Sequence, residues 1–241
     1  MSWLGVLLLG LALTDLTHSV RPARWVPECT GALSAVVFAV LAGLTSGRDL
    51  VAVLVIVVLV LAWGQTVTRG FGRGPAWLPL VVLVFALLLG VGTSGAASEA
   101  DGVLGTWLDG VSLPVLQELS ADRFLLAAGA FGLQLSSGNV IVRLVLKATG
   151  TLNPAADGSM PPTPLKGGRL LGPLERVFIL GLGLAGQLTA ASIVVAAKGL
   201  LRFPELSSPG ERARIHQLTE YFLVGSFVSW LVALGSLVLL A

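Results

Sequence analysis

The residues from Leu50 to Gly64 form an unbroken apolar run, and this run constrains the fold more than any other feature of the chain. Its many valines would favour a strand in a soluble protein, but strands of a membrane barrel alternate apolar with polar residues and this run does not. Inside a bilayer the backbone must satisfy its own hydrogen bonds, as a helix does. The run therefore predicts a transmembrane helix.

The composition extends this prediction to the whole chain. Of the 241 residues, 55% are hydrophobic and 12% are charged, and the mean hydropathy is +0.90. Soluble domains carry about 25% charged residues, and one core of this size could not bury so much apolar surface. The same numbers exclude a disordered chain, and a net charge of +2 argues against nucleic-acid binding. A single cysteine, Cys29, excludes an intrachain disulfide and a cysteine-based zinc site.

Seven segments are candidate spans, because a helix needs about 20 mostly apolar residues to cross the hydrocarbon core. They are 2–17, 30–45, 49–67, 77–95, 123–147, 171–197 and 218–241. We expect an all-α, polytopic transmembrane helix bundle of six to seven spans, forming a single integral membrane domain. It divides into a four-helix part at 1–95, an acidic loop at 96–122 and a three-helix part at 123–241. The first segment is either a retained span or a re-entrant or interfacial one.

Loop charges predict the orientation and the surroundings. Basic residues tend to lie on the cytoplasmic side, so we expect 18–28 and 68–75 inside and the acidic 96–122 outside. The loops at 148–170 and 198–217 are both basic, and their sides stay open. The expected location is the bacterial cytoplasmic (inner) membrane, with the lipid bilayer as the main partner. A homo-oligomer or a membrane partner protein is also possible on this pattern, whereas nucleic acid is not expected.

The predicted sixth span carries three polar residues at equal spacing. Arg176, Gln187 and Lys198 are eleven residues apart, and eleven residues bring an α-helix only about 20° past three full turns. One continuous helix would place them in a single stripe, with a basic residue near each membrane face and Gln187 at the midplane. The stripe predicts either a polar track through the bundle, or two snorkelling ends and a glutamine bonded to a neighbouring helix.

Charged residues also gather around the start of that span. Glu175 and Arg176 follow Gly172-Pro173. Glu175 is therefore either a first-turn carboxylate favoured by the helix dipole or one half of an ion pair with a nearby arginine. The candidate charge cluster consists of Arg143, Arg169, Glu175, Arg202 and Glu220.

Asp15 and His18, three residues apart at the end of the first helix, are a candidate titratable pair. Such a pair suits a proton relay, since histidine titrates near neutral pH; the alternative is a partly solvated aspartate at a helix end. His216 and Glu220 share a helix face but lack a third ligand, so we expect no metal. The sequence has no Walker A loop, G-x-S-x-G or H-E-x-x-H motif. We therefore assign no catalytic residue and no cofactor.

The last third of the chain resembles a family of bacterial multi-pass membrane proteins that has no assigned activity. The resemblance is carried by G-R-x-x-G-x-L-E-R at 168–176, G-Q at 186–187, A-A-K at 196–198, R-F at 202–203 and E-Y at 220–221. It implies a polytopic bacterial membrane protein and supplies no reaction. Several of the matching positions are the polar residues named above.

Two functions from different classes follow from these patterns. The first is a conduit or carrier for a small solute or ion, using polar groups of the later helices. The second is a non-transporting membrane scaffold or partner subunit, whose small-residue stripes mediate packing. A membrane enzyme is the third and least supported reading.

Overall fold

The computed structural model describes residues 1–21, 23, 25–151, 168–206 and 212–241, and gives the backbone alone for 168–169, 198–206 and 212–218. The described residues are helical and contain no strand, which confirms the all-α prediction. The α-helices are α1 (Ser2–Val20), α2 (Val26–Leu41), α3 (Gly47–Phe71), α4 (Trp77–Gly92), α5 (Gly102–Gly110), α6 (Pro114–Gln117), α7 (Ala121–Leu135), α8 (Ser137–Ala148), α9 (Gly168–Leu184), α10 (Leu188–Leu206) and α11 (Arg212–Leu240).

Three described helices are long and apolar enough to cross a membrane: α1, α3 and the Thr219–Leu240 part of α11. A fourth span is possible if α7 and α8, which meet at a bend around Ser136, cross as one. The predicted count of six to seven is not confirmed. One reason is length, since α2 and α4 have 16 residues each and reach only about 24 Å at 1.5 Å per residue.

The predicted sixth span is wrong as a continuous helix, because 171–197 contains two helices with a break between them. α9 ends at Leu184, and Gly186 follows with a positive φ of 71°. The Gly186 N–H donates to the Gly183 carbonyl at 3.0 Å, and the Gln187 N–H donates to the Leu182 carbonyl at 2.8 Å. This pair of bonds is a Schellman motif, which ends a helix at a glycine.

The chain forms two compact units, which are described separately. Unit 1 contains Met1–Ser137 and Leu240, and unit 2 contains Gly138–Leu239 and Ala241. The division falls within the predicted fifth span, between the first residues of α8.

Helix α1 is the centre of unit 1 and packs against α2, α3, α4 and α7. Its residues from Ser2 to Ala12 are all buried, as expected of a helix that is apolar on every side. Gly5 and Gly129 allow α1 and α7 to approach closely. A Cβ on Gly5 would lie 2.8 Å from the Leu125 backbone, and one on Gly129 would lie 2.6 Å from the Leu8 Cβ. Small residues at such contacts are typical of helices packed in membranes.

The sequence Ser-Gly-Arg-Asp at 46–49 predicts a tight turn and an antiparallel hairpin. The structure has a short connection there, with α3 beginning at Gly47, and α2 and α3 pack together. Ser46 is the N-cap of α3 and forms a capping box with Asp49, whose carboxylate also accepts a hydrogen bond from the Trp3 indole at 2.8 Å. The acidic segment predicted as a loop contains the short helices α5 and α6. It is anchored to the end of α2, where the Asp101 N–H donates to the Ala42 carbonyl.

Along α11 in unit 2, the sequence places Tyr221, Gly225, Ser229, Ala233 and Ser236 in one stripe, and this spacing of mostly small residues predicts a helix-packing face. Ser229, Ala233 and Ser236 are buried, and Gly225 lies against Val142 and Leu146 of α8. Gly183 of α9 faces the same helix, since a Cβ there would lie 2.7 Å from the Leu237 side chain. The face is therefore a packing surface within this unit.

Candidate functional sites

The polar stripe predicted for the sixth span does not form. Arg176 lies within α9 and is 1% exposed, whereas Gln187 lies in the turn between α9 and α10 and is exposed. The Lys198 side chain lies outside the described residues. The stripe required one straight helix through Gly186, and the Schellman motif at that glycine ends the helix instead.

The interpretation of Glu175 as a first-turn carboxylate is also wrong. α9 begins at Gly168, so Pro173 lies inside the helix and Glu175 comes after it. A proline in a helix interior removes a backbone hydrogen bond, yet α9 continues past it. Glu175 is therefore too far along α9 to interact with the free N–H groups of the first turn.

Glu175 and Arg176 form the centre of a buried polar network in unit 2. Arg176 donates through Nη1 to the Ser229 hydroxyl at 3.1 Å and through Nη2 to the Asn139 side-chain oxygen at 2.8 Å. The Trp230 indole donates to Glu175 Oε1 at 3.0 Å. Opposite charges on consecutive residues attract each other, so this network is close to electrically neutral.

Glycines make the space that the Arg176 side chain occupies. A Cβ on Gly138 would lie 2.4 Å from Arg176 Nε, and one on Gly172 would lie 3.4 Å from its Nη1. The guanidinium is thus enclosed by the start of α8, by α9 and by α11. Five donors in a rigid fork suit this role of cross-linking several helices.

The rest of the predicted charge cluster is only partly described. Arg143 and Glu220 are exposed, and the side chains of Arg169 and Arg202 lie outside the described residues. Ion pairing between Glu175 and Arg143 remains a prediction.

In unit 1, Asp15 is buried more deeply than its position near a helix end suggests. Its side chain is 3% exposed, so the expectation of a partly solvated aspartate is wrong. The Trp63 indole of α3 donates to both carboxylate oxygens at 3.1 Å. The Ser137 hydroxyl, itself buried, lies beside this carboxyl without a hydrogen bond of good geometry.

Asp15 and His18 do not form the predicted pair. His18 is half-buried on the following turn of α1, and the hydrogen bonds described for Asp15 come from Trp63 instead. Asp15 and Trp63 are 48 residues apart in the chain, which is why a pattern along one helix could not reveal this contact.

Glu28, near the start of α2, is a further buried carboxylate in unit 1 that the sequence reasoning missed. It is 4% exposed and accepts a hydrogen bond from Gln65 Nε2 at 3.1 Å on Oε1. Its other oxygen, Oε2, is buried and has no hydrogen-bond partner among the described residues. The available signal was an acidic residue directly after Pro27 in an otherwise apolar segment.

Residues 63–65 of α3 contact the carboxylates of both Asp15 and Glu28. Trp63 donates to Asp15 of α1, and Gln65 donates to Glu28 of α2. Gly64, between them, leaves room for the Glu28 side chain to cross the helix, because a Cβ there would lie 2.5 Å from Glu28 Cγ. Among the described residues, no lysine, arginine or histidine pairs with either carboxyl group.

A cavity of about 420 Å³ lies elsewhere in unit 1, between α1, α3 and α4. Its walls are almost entirely apolar, with Arg48 and Thr93 among its few polar residues, and neither Asp15 nor Glu28 lines it. The described residues contain no group of three histidine, cysteine, aspartate or glutamate side chains that could hold a metal ion.

Comparisons with protein families, curated proteins and solved structures found no match to this chain.

Proposed function

We propose that this chain is a multi-pass protein of the bacterial cytoplasmic membrane and that it conducts or carries a small solute or ion. The observation that carries the proposal is the burial of Asp15 in unit 1, within a helix apolar enough to span a bilayer. The same proposal includes membership of the bacterial family named above. It also includes a count of six to seven spans, in which α2 and α4 cross as short spans.

The energetic cost of Asp15 supports this function. Burying an ionisable side chain within a membrane helix is costly, by at least about 2.5–3.5 kcal/mol at the helix centre and less towards the end, where Asp15 lies, and such residues commonly mark ion or substrate pathways. An asparagine could accept the indole hydrogen bond on its one side-chain oxygen without that cost. A carboxylate with neutral partners can attract a cation, so the carried species is most simply a cation or a solute that travels with one.

The experiment compares the purified wild-type protein, Asp15→Asn and Asp109→Asn in liposomes loaded with a pH-sensitive or a cation-sensitive dye. Asp109 is exposed in unit 1 and gives a matched control with the same chemical change. We expect the wild-type protein and the control to carry protons or alkali-metal ions down an imposed gradient, and Asp15→Asn to lose this flux. Wild-type flux equal to that of empty liposomes would contradict the proposal.

The alternative function is a non-transporting membrane scaffold or partner subunit. The observation that favours it lies in unit 2, where the polar groups of Glu175 and Arg176 bond to Trp230, Ser229 and Asn139 of the same unit. Such a network locks helices together and leaves the described groups little freedom to exchange a ligand. Crosslinking in native membranes, followed by mass measurement, would identify a partner or a second copy under this alternative.

A further inference from the structure

We propose that Glu28 is a proton-binding group inside unit 1 and that its Oε2 atom takes up and releases the proton. The inference rests on the proposed function, because it names the ion that the buried carboxylates would handle. The starting observation is that Oε2 has no hydrogen-bond partner among the described residues, although Glu28 is only 4% exposed.

The position of Glu28 is built into the packing of three helices. Its Cγ crosses α3 over Gly64, next to the Thr14 side chain of α1, which also lies near the Cβ position of Gly64 at 3.3 Å. Gln65 fixes Oε1, so the carboxyl group is held by one oxygen while the other remains available. A carboxylate that interacted only with the start of its own helix would not need this recess.

Among the described residues, few cations lie on the helices packed against α2. The titratable or charged side chains there are Asp15 and His18 of α1, Arg48, Asp49 and Arg69 of α3, and Asp109 of α5. Arg48 and Asp49 lie at the opposite end of α3 from Gly64, whereas Arg69 lies four residues beyond Gln65 and is exposed, as is Asp109. On α1, the buried Asp15 and the half-buried His18 follow Thr14, which contacts the same recess.

Both forms of Glu28 are physically reasonable at this position. An ionised Glu28 is stabilised by the N-terminal end of α2, where backbone N–H groups point towards the chain start. A protonated Glu28 leaves no buried charge, which is otherwise costly in an apolar interior. On uptake, a lone pair of Oε2 forms a bond to a proton of hydronium and water leaves; release is the reverse.

A proton suits this oxygen better than a metal ion does. Hard cations such as Ca²⁺ and Mg²⁺ take about six or more oxygen ligands. The described residues offer no group of three suitable side chains. A proton needs a single lone pair, which is what Oε2 provides.

The test is infrared difference spectroscopy of the protein in lipid between acidic and alkaline pH, in H₂O and in D₂O. We compare the wild-type protein with Glu28→Gln and with Glu118→Gln, whose carboxylate is exposed in the acidic segment. We expect the wild type and Glu118→Gln to show equal absorption from buried protonated carboxyl groups that shifts in D₂O, and Glu28→Gln to lose the Glu28 component of this band while the Asp15 component remains. An unchanged band in Glu28→Gln would overturn the inference.

A second variant covers the case in which Glu28→Gln does not fold. Gln65→Leu leaves Glu28 in place and removes the donor to Oε1, so we expect the Glu28 component of the band to change its frequency. A band that does not respond to Gln65→Leu would also overturn the inference. The measurement needs no transport, so absent liposome flux with a normal Glu28 band would reject the proposed function alone.

Discussion

Unit 1 and unit 2 each bury a carboxylate that accepts a hydrogen bond from a tryptophan indole, but the two carboxylates differ in the charge beside them. Glu175 of unit 2 precedes Arg176, and the guanidinium is in turn bonded to Asn139 and Ser229. Asp15 of unit 1 has the neutral Trp63 as its described donor, and no described cation pairs with it.

This difference separates a structural role from a functional one. A buried pair of opposite charges has a structural role, because removing either member leaves the other charge uncompensated and destabilises the fold. A buried acid without a cation can lose its charge by protonation, and replacing it with an amide leaves no charge behind. The comparison therefore predicts opposite responses of the two units to the same kind of substitution.

The largest effect is expected at Arg176. Arg176→Gln leaves Glu175 without its cation and leaves a gap above Gly138, so we expect a loss of about 3–5 kcal/mol in the free energy of unfolding. The matched control is Arg73→Gln, because Arg73 is exposed, undergoes the same chemical change and lies in unit 1, so its loss should cost less than about 1 kcal/mol. Chemical unfolding in detergent measures the free energy of unfolding of both variants. Equal losses would show that Arg176 stabilises the protein no more than an exposed arginine does.

The second prediction sets the two carboxylates against each other. Glu175→Gln leaves a buried guanidinium uncompensated and should cost about 3 kcal/mol or more. Asp15→Asn uncovers no charge and should change the free energy of unfolding by less than about 1 kcal/mol. Thermal unfolding in the same detergent compares them, and a larger loss for Asp15→Asn would reverse the roles given to the two units.

The contrast between the units could be predicted only in part from the sequence. The apolar run at 50–64 identified α3, and the small-residue spacing identified the packing face of α11, because both depend on local periodicity. The break at Gly186 was missed, since glycines are common in membrane helices and a glycine there does not by itself indicate a helix end. The length of the apolar segments was also a weak guide to the number of spans, because α2 and α4 have only 16 residues each.

The partners of the buried polar groups could not be predicted, because they come from distant parts of the chain. Asp15 binds Trp63 and Glu175 binds Trp230, at separations of 48 and 55 residues. Reasoning along single helices paired Asp15 with His18 instead. Glu28 was not singled out at all, because the recess over Gly64 that buries it is formed by three helices.

The third prediction tests how closely α9 packs against α11 in unit 2. Gly183→Leu places a side chain where Leu237 already lies, and such overpacking costs about 1–3 kcal/mol. Leu182→Ala, one position along the same helix and half-buried, should cost less. Similar melting temperatures for the two variants would mean that α9 can move away from α11 without penalty.

The last prediction concerns two of the indole–carboxylate hydrogen bonds, those of Asp15 and Glu175, measured by two double-mutant cycles. The first cycle combines Trp63→Phe with Asp15→Asn, and the second combines Trp230→Phe with Glu175→Gln. Each cycle removes the energetic effect of losing aromatic volume, which is common to both backgrounds. It leaves the interaction energy between the indole and the carboxylate. A hydrogen bond to a charged group contributes about 1.5–3 kcal/mol. Glu175 has Arg176 beside it to keep it ionised, whereas Asp15 has neutral described partners and can bind a proton, so we expect the larger coupling in unit 2. An equal or larger coupling in unit 1 would contradict this, and it would mean that Asp15 is charged in the folded protein.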